Sequence, residues 1–157
     1  MEEDVAMKPR CVTLLAFFCL VGGAVAGQSN QVMDSLLAQP KADFADSAYL
    51  AMVGGGWIDE SAEPGAAFDM AQSKGWIGKS VAAGDPVDLE SFCFLSMKAL
   101  KVKGGLGWSL FATRRYAYRE LIAQGIANAS GGPKRILSGD EVVRMLGKVS
   151  ALSEVKK

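Results

Sequence analysis

Apolar positions along the chain fall into three regimes. Residues 11–23, CVTLLAFFCLVGG, are apolar almost without interruption. Residues 27–45 are mixed and polar, are broken by Pro40, and carry the spacing of one short helix around residues 31–38. Between residues 46 and 150 apolar side chains recur at steps of three and four, in blocks punctuated by Gly, Asp and Pro. That is the pattern of several short amphipathic helices rather than of strands.

A repeat organises these blocks. AYLAMVGGGWI, AFDMAQSKGWI and AYRELIAQGIA, beginning at Ala48, Ala67 and Ala117, all read Ala-aromatic-x6-Gly-apolar-apolar. In the second copy Phe68, Ala71 and Gln72 share a helical side, and in the third Ala117, Leu121 and Ile122 do. The glycines Gly56, Gly75 and Gly125 then stop each helix, because glycine takes the left-handed conformation without a Cβ penalty. The pairs opened by Trp57, Trp76 and Ile126 can fold back on the last turn. The first copy reads as the weakest, since Gly54-Gly55-Gly56 should fray its helix early.

The second and third copies each lead through a turn-rich loop into another helix. VDLESFCFLSMKALKVK starts at a capping Asp88 and places Leu89, Phe92, Cys93, Met97 and Leu100 on one stripe. Phe94 and Leu95 widen that stripe, which predicts a central helix buried on most sides. LSGDEVVRMLGKVSAL opens with the capping box Ser138/Glu141 and aligns Val142, Met145, Leu146 and Val149. The expected fold is therefore all-α. A single domain over residues 46–150 holds two helix–loop–helix units, approximately 64–103 and 114–150, that pack around a shared helical core. A partial leading copy precedes them, and a charged tail, 151–157, follows.

The first 26 residues predict a signal peptide. Lys8 and Arg10 form the positive region, residues 11–23 the apolar one, and Ala24-Val25-Ala26 a cleavage site before Gly27. The acidic MEEDVA fits no such leader, which points to Met7 as the start. The other reading is an uncleaved anchor, although the apolar run is short for a span of ~20 residues. Either way the domain is expected to be exported, to the periplasm or the cell envelope, and a membrane to be met only through this segment.

Charge and composition narrow the chemistry. The chain carries 17 basic and 17 acidic residues, so no net field recruits nucleic acid. It has no histidine, which removes the commonest general base and metal ligand together. Past the leader Cys93 is the one cysteine, so no internal disulfide can form, and its apolar neighbours suit an inert thiol better than a nucleophile.

The succession of helix, glycine stop, Gly/Asp/Pro loop and capped helix, in AFDMAQSKGWI…GDPVDLESFCFLSMKAL and AYRELIAQGIA…RILSGDEVVRMLGKV, resembles the S-layer homology (SLH) repeat of bacterial envelope proteins. The resemblance implies helical repeats around a common core and an envelope-associated role, and many members of that family hold a wall polysaccharide. The family's second helix opens on a T-R-A-E-like cap whose basic residue meets anionic glycan. Here Leu89 and Gly139 stand at that place. The capping chemistry is kept at Ser138 and Glu141, while the glycan-reading chemistry is not.

Other candidate chemistry is local. SKGWIGKS, from Ser73, matches a phosphate loop except at its first glycine, but a helical stretch precedes it and a turn follows, the reverse of what phosphate binding requires. It predicts a helix stop and no nucleotide. GGLGWSLFATRRYAYR, from Gly104, brings Trp108 near Arg114, Arg115, Tyr116 and Arg119, a combination suited to a protein or glycan contact. The competing reading packs Trp108 and Phe111 between the two units and leaves the arginines solvated. Trp57 and Trp76, at equivalent repeat positions, are expected to pack rather than to bind. Asp85, Asp88, Glu90, Asp140 and Glu141 read as loop and cap residues. No calcium-loop spacing is present, and no metal or cofactor is expected. Asn128-Ala129-Ser130 fits a glycosylation sequon, a frequent chance triplet. The function expected is that of a non-catalytic envelope protein, a protein-interaction or structural module. A wall-polysaccharide-binding module is the alternative, and a hydrolase with an unrecognised carboxylate pair stands third.

Overall fold

A computed structural model describes residues 25–155. All but the last two residues of the expected signal peptide, and with them its apolar run, lie outside the described residues. Seven helices follow one another there: α1 (Val25–Leu37), α2 (Phe44–Gly54), α3 (Pro64–Ser73), α4 (Leu89–Ala99), α5 (Leu106–Phe111), α6 (Arg114–Ala123) and α7 (Gly139–Val155). Among the described residues no strand forms, and the all-α expectation holds. No helix of the described residues is long and apolar enough to cross a membrane.

Three extended stretches, each just ahead of a helix, meet and close on one another. The Ala42 N–H donates to the Leu137 carbonyl at 2.8 Å, Leu137 to Val87 at 3.0 Å, and Val87 back to Ala42 at 2.8 Å. One step further on, the first residues of α2, α4 and α7 repeat the arrangement. Phe44 donates to the Asp85 carbonyl, Leu89 to that of Arg135, and Gly139 to that of Gln39. These N–H groups belong to first turns, which have no partner inside their own helices, so each helix start is satisfied by a neighbouring segment. The side-chain caps follow suit. Asp43 accepts from the Asp46 N–H, Asp88 from that of Ser91, and Ser138 from that of Glu141.

From this meeting point α2, α4 and α7 run together as the core, with α3 packed on α2, α6 on α4, and α1 against α2 and α7. α4 is buried at every position except Glu90 and Lys98, as its doubled apolar stripe predicts. Each fully buried Leu or Phe here contributes about 2 kcal/mol relative to exposure.

The helix stops are as uniform as the starts. Gly56, Gly75 and Gly125 have φ of 67°, 73° and 68°. Each donates three residues back, and the following Trp57, Trp76 or Ile126 donates five back, the paired bonds of a left-handed helix closure. α4 closes in the same way through Lys101 (φ 54°) and Val102, with a lysine where the others have glycine.

The structure departs from the sequence expectation at three places. Residues 27–45 are no mere polar lead-in: Val32, Leu36, Ala42 and Phe44 enter the core. Two apolar residues four apart on α1 suffice because α2 and α7 supply the rest of the surface. The glycine run does not fray α2. A Cβ on Gly55 would lie 2.1 Å from the Ala99 carbonyl oxygen, so the glycine lets the ends of α2 and α4 touch. The tail is not separate either, since α7 continues to Val155.

Candidate functional site

α5 and α6 form an unusual corner of the molecule. α5 has six residues, and Trp108 alone anchors it. Its ring is 8% exposed, packs edge-on against Phe94 of α4 at 5.9 Å, and donates its indole N–H to the Val102 carbonyl. Glycines make the fit possible. A Cβ on Gly104 would come within 2.6 Å of Trp108, and one on Gly107 within 2.6 Å of the Tyr116 ring. Beside that anchor Leu106, Leu110 and Phe111 are left to water, exposed by 82, 73 and 60%. Phe111 stacks on Tyr116 of α6, 5.2 Å between centroids and 16° between planes. Ala112, at the end of α5, holds a left-handed φ of 40°.

The sequence around this ridge is basic. Between Ser91 and Arg119 the chain has six lysines and arginines and no Asp or Glu. Lys98 sits 5.2 Å from the Trp108 ring centre, and Arg119 lines a shallow hollow of about 330 Å³ with Leu106, Trp108, Tyr116 and Glu120. Glu120 is the acid at the corner, and its carboxylate accepts the Gly105 N–H at 3.0 Å.

A second aromatic site joins the first two glycine stops. Trp57 and Trp76 meet edge to face at 5.2 Å. Lys74 lies 4.3 Å from the centre of the Trp57 ring and Lys101 4.6 Å. The Trp57 indole N–H donates to the Ala99 carbonyl. Both rings are half-buried, so they pack, as the repeat positions predict, and still offer an edge beside two ammonium groups.

The carboxylates and the thiol are otherwise engaged. Burial pushes the Cys93 thiol up to about 12, with Asp88 and Glu90 adding to it, so the thiolate is not formed at neutral pH. Burial also pushes the Glu141 carboxyl up, but the Ser138 N–H and the Arg135 guanidinium outweigh it and hold the group below its ordinary value. Glu141 accepts from the Ser138 N–H and pairs with Arg135 at 2.8 Å. It borders a polar hollow of about 450 Å³ with Asn128, Arg144 and Lys148. Among the described residues no group of three or more Cys, Asp or Glu is placed to hold a metal ion.

The residues singled out in the sequence are only partly brought together. Trp108 is mostly buried with its indole N–H committed to the Val102 carbonyl, and it meets solvent only where it lines the hollow beside Arg119. Arg114 turns away from the ridge, its guanidinium 3.5 Å from where a Cβ of Gly78 would stand. Arg115 and Arg119 are exposed and Tyr116 half-buried beside Phe111. Phe111 does not pack between units, contrary to the competing expectation. Leu106 was not distinguished by periodicity, and its signal lay in the flanking Gly104, Gly105 and Gly107. SKGWIGKS leaves the end of α3, where Ser73 bonds back to the Met70 carbonyl. The basic residue of the family's cap has no room here. Leu89 is fully buried, and a Cβ on Gly139 would fall 1.6 Å from the Leu36 carbonyl oxygen. Searches with this chain found no matching protein-family model, no matching curated protein and no matching solved structure.

Proposed function

We propose that this chain is an exported, non-catalytic component of the cell envelope, a structural or interaction module on a degenerate S-layer-homology-like scaffold of three units rather than two. The closed set of backbone bonds ahead of α2, α4 and α7 supports the three-unit reading. The observation that carries the interaction role is the ridge Leu106, Leu110 and Phe111, held out rigidly by a buried Trp108. Flexible loops expose leucines by accident, whereas this ridge is braced by an indole hydrogen bond and two close glycine contacts. Exposed large apolar side chains gathered on one short helix mark contact sites. The test is fractionation of cells producing the full chain beside the variant Leu106→Ser, Leu110→Ser, Phe111→Ser. The parent is expected with the envelope and the variant, folded by circular dichroism, in the soluble fraction. Equal retention of both would remove the ridge as the contact surface.

A second reading is a wall-polysaccharide module, favoured by Trp57 and Trp76 with Lys74 and Lys101 over their faces. Aromatic edges beside ammonium groups suit an anionic sugar chain. It predicts sedimentation with purified wall polymer that weakens with salt and is lost in Lys74→Ala, Lys101→Ala.

A further inference from the structure

The geometry points to a membrane leaflet carrying anionic lipid headgroups as the partner of the α5 ridge. This rests on the reading of that ridge as a contact surface and names what it contacts. Three observations separate a lipid surface from a protein partner.

The first is size and shape. The exposed apolar surface is confined to one short helix and covers a few hundred Å² at most. A stable protein interface takes ~800 Å² from each partner and is flat enough to exclude water around its centre. Three exposed side chains on one six-residue helix are too few for that purpose and enough for entry between headgroups. The second is charge. Arg119 shares the hollow beside Leu106 with Glu120, and Lys98 reaches α5 over the Trp108 ring on its anchored side. Lys103 and Arg115, which flank α5 in sequence, are exposed. Interfacial helices combine such an apolar edge with a basic border, and their affinity grows with the apolar area inserted and the attraction to anionic lipid. A net charge of zero over the whole chain conceals this segment, where the six cations from Ser91 to Arg119 outnumber Glu120, the acid at this corner, whose carboxylate accepts the Gly105 N–H. The third is the boundary residue. Tyr116 is half-buried with its ring stacked on Phe111, and an aromatic ring that carries a hydroxyl is the amphipathic kind of side chain suited to a membrane surface.

Insertion leaves the fold as it is. Trp108 stays under Phe94, Leu106, Leu110 and Phe111 enter the acyl boundary, and the lysines and arginines remain among the phosphates.

Hydrogen exchange of the full chain, read on the amides of residues 105–112, tests this. Vesicles of phosphatidylglycerol and phosphatidylcholine in equal parts are compared with vesicles of phosphatidylcholine alone. Protection of about tenfold or more is expected with the anionic vesicles, reduced by raised salt and lost in the triple serine variant. The readout is local, so adhesion through residues 11–23 does not imitate it. Unchanged exchange at 105–112 with the anionic vesicles would overturn the lipid assignment. If the same triple variant still lost envelope retention, the ridge would stand as a contact surface with a protein partner. Equal protection by phosphatidylcholine alone would also overturn it, since the basic border would then have no role.

Discussion

Two exchanges between glycine and alanine are expected to have opposite signs. At Gly139 a methyl group collides with the Leu36 carbonyl and prises apart the Gly139–Gln39 bond, so Gly139→Ala should cost about 3 kcal/mol or more. At Ala112 the left-handed backbone already strains its Cβ, and Ala112→Gly should gain a few tenths to about 1 kcal/mol after glycine's greater unfolded freedom is subtracted. Urea denaturation of both variants checks the pair. Acid titration probes a third residue. Glu141 has a lowered folded pKa, so its contribution is complete above its ordinary value of 4.5 and fades as pH falls through the lower folded value. Asp46 runs the other way: burial and the neighbouring Asp43 raise it, so its penalty is relieved as pH falls. The parent should therefore lose stability below pH 4.5 more steeply than Glu141→Gln, in which Asp46 is unchanged, and parallel curves would discount the Glu141 cap. The glycines that stop helices were legible in sequence because only glycine is cheap at positive φ. Lys101, in the same conformation, was not, since lysine carries no such mark.

Among the elements, α5 separates packing from display within six residues. Trp108→Ala removes a buried ring and its hydrogen bond and should cost about 3–5 kcal/mol. Leu110→Ser touches no buried surface and should fall within about 0.5 kcal/mol of the parent. Thermal melts of the two variants are enough to tell. Similar losses in both would mean that Leu110 is covered in the folded protein. α4 and α7 were readable from their caps and stripes, because Asp88 and Ser138 stand directly before strong apolar periodicity. Asp43 caps α2 with the same chemistry, but the polar stretch ahead of it hid the signal. α5 was unreadable for a different reason: its pattern of Trp inside and Leu and Phe outside inverts the usual rule that large aliphatic side chains are buried.

At the scale of the whole molecule, the order of the bonds matters more than their number. Ala42, Val87 and Leu137 each donate to one partner and accept from the other, so each of the three helix starts depends on the remaining two. Backbone bonds leave no trace in side-chain patterns, which is why two units and a fragment were expected where the bonds close over three segments. An open stack of helical repeats tolerates loss of a terminal repeat, because each repeat meets only its neighbours. This arrangement has no terminal member. Removing residues 137–155 uncovers Leu36 and the α4 side that faced α7, and it takes away the partners of the Ala42 N–H and of the Val87 and Gln39 carbonyls. The remaining chain should then have no cooperative melt and a helical signal well under its share of the parent's. If residues 25–136 instead melted cooperatively with their helices intact, the closure would be incidental and α7 a mere addition to an already stable core.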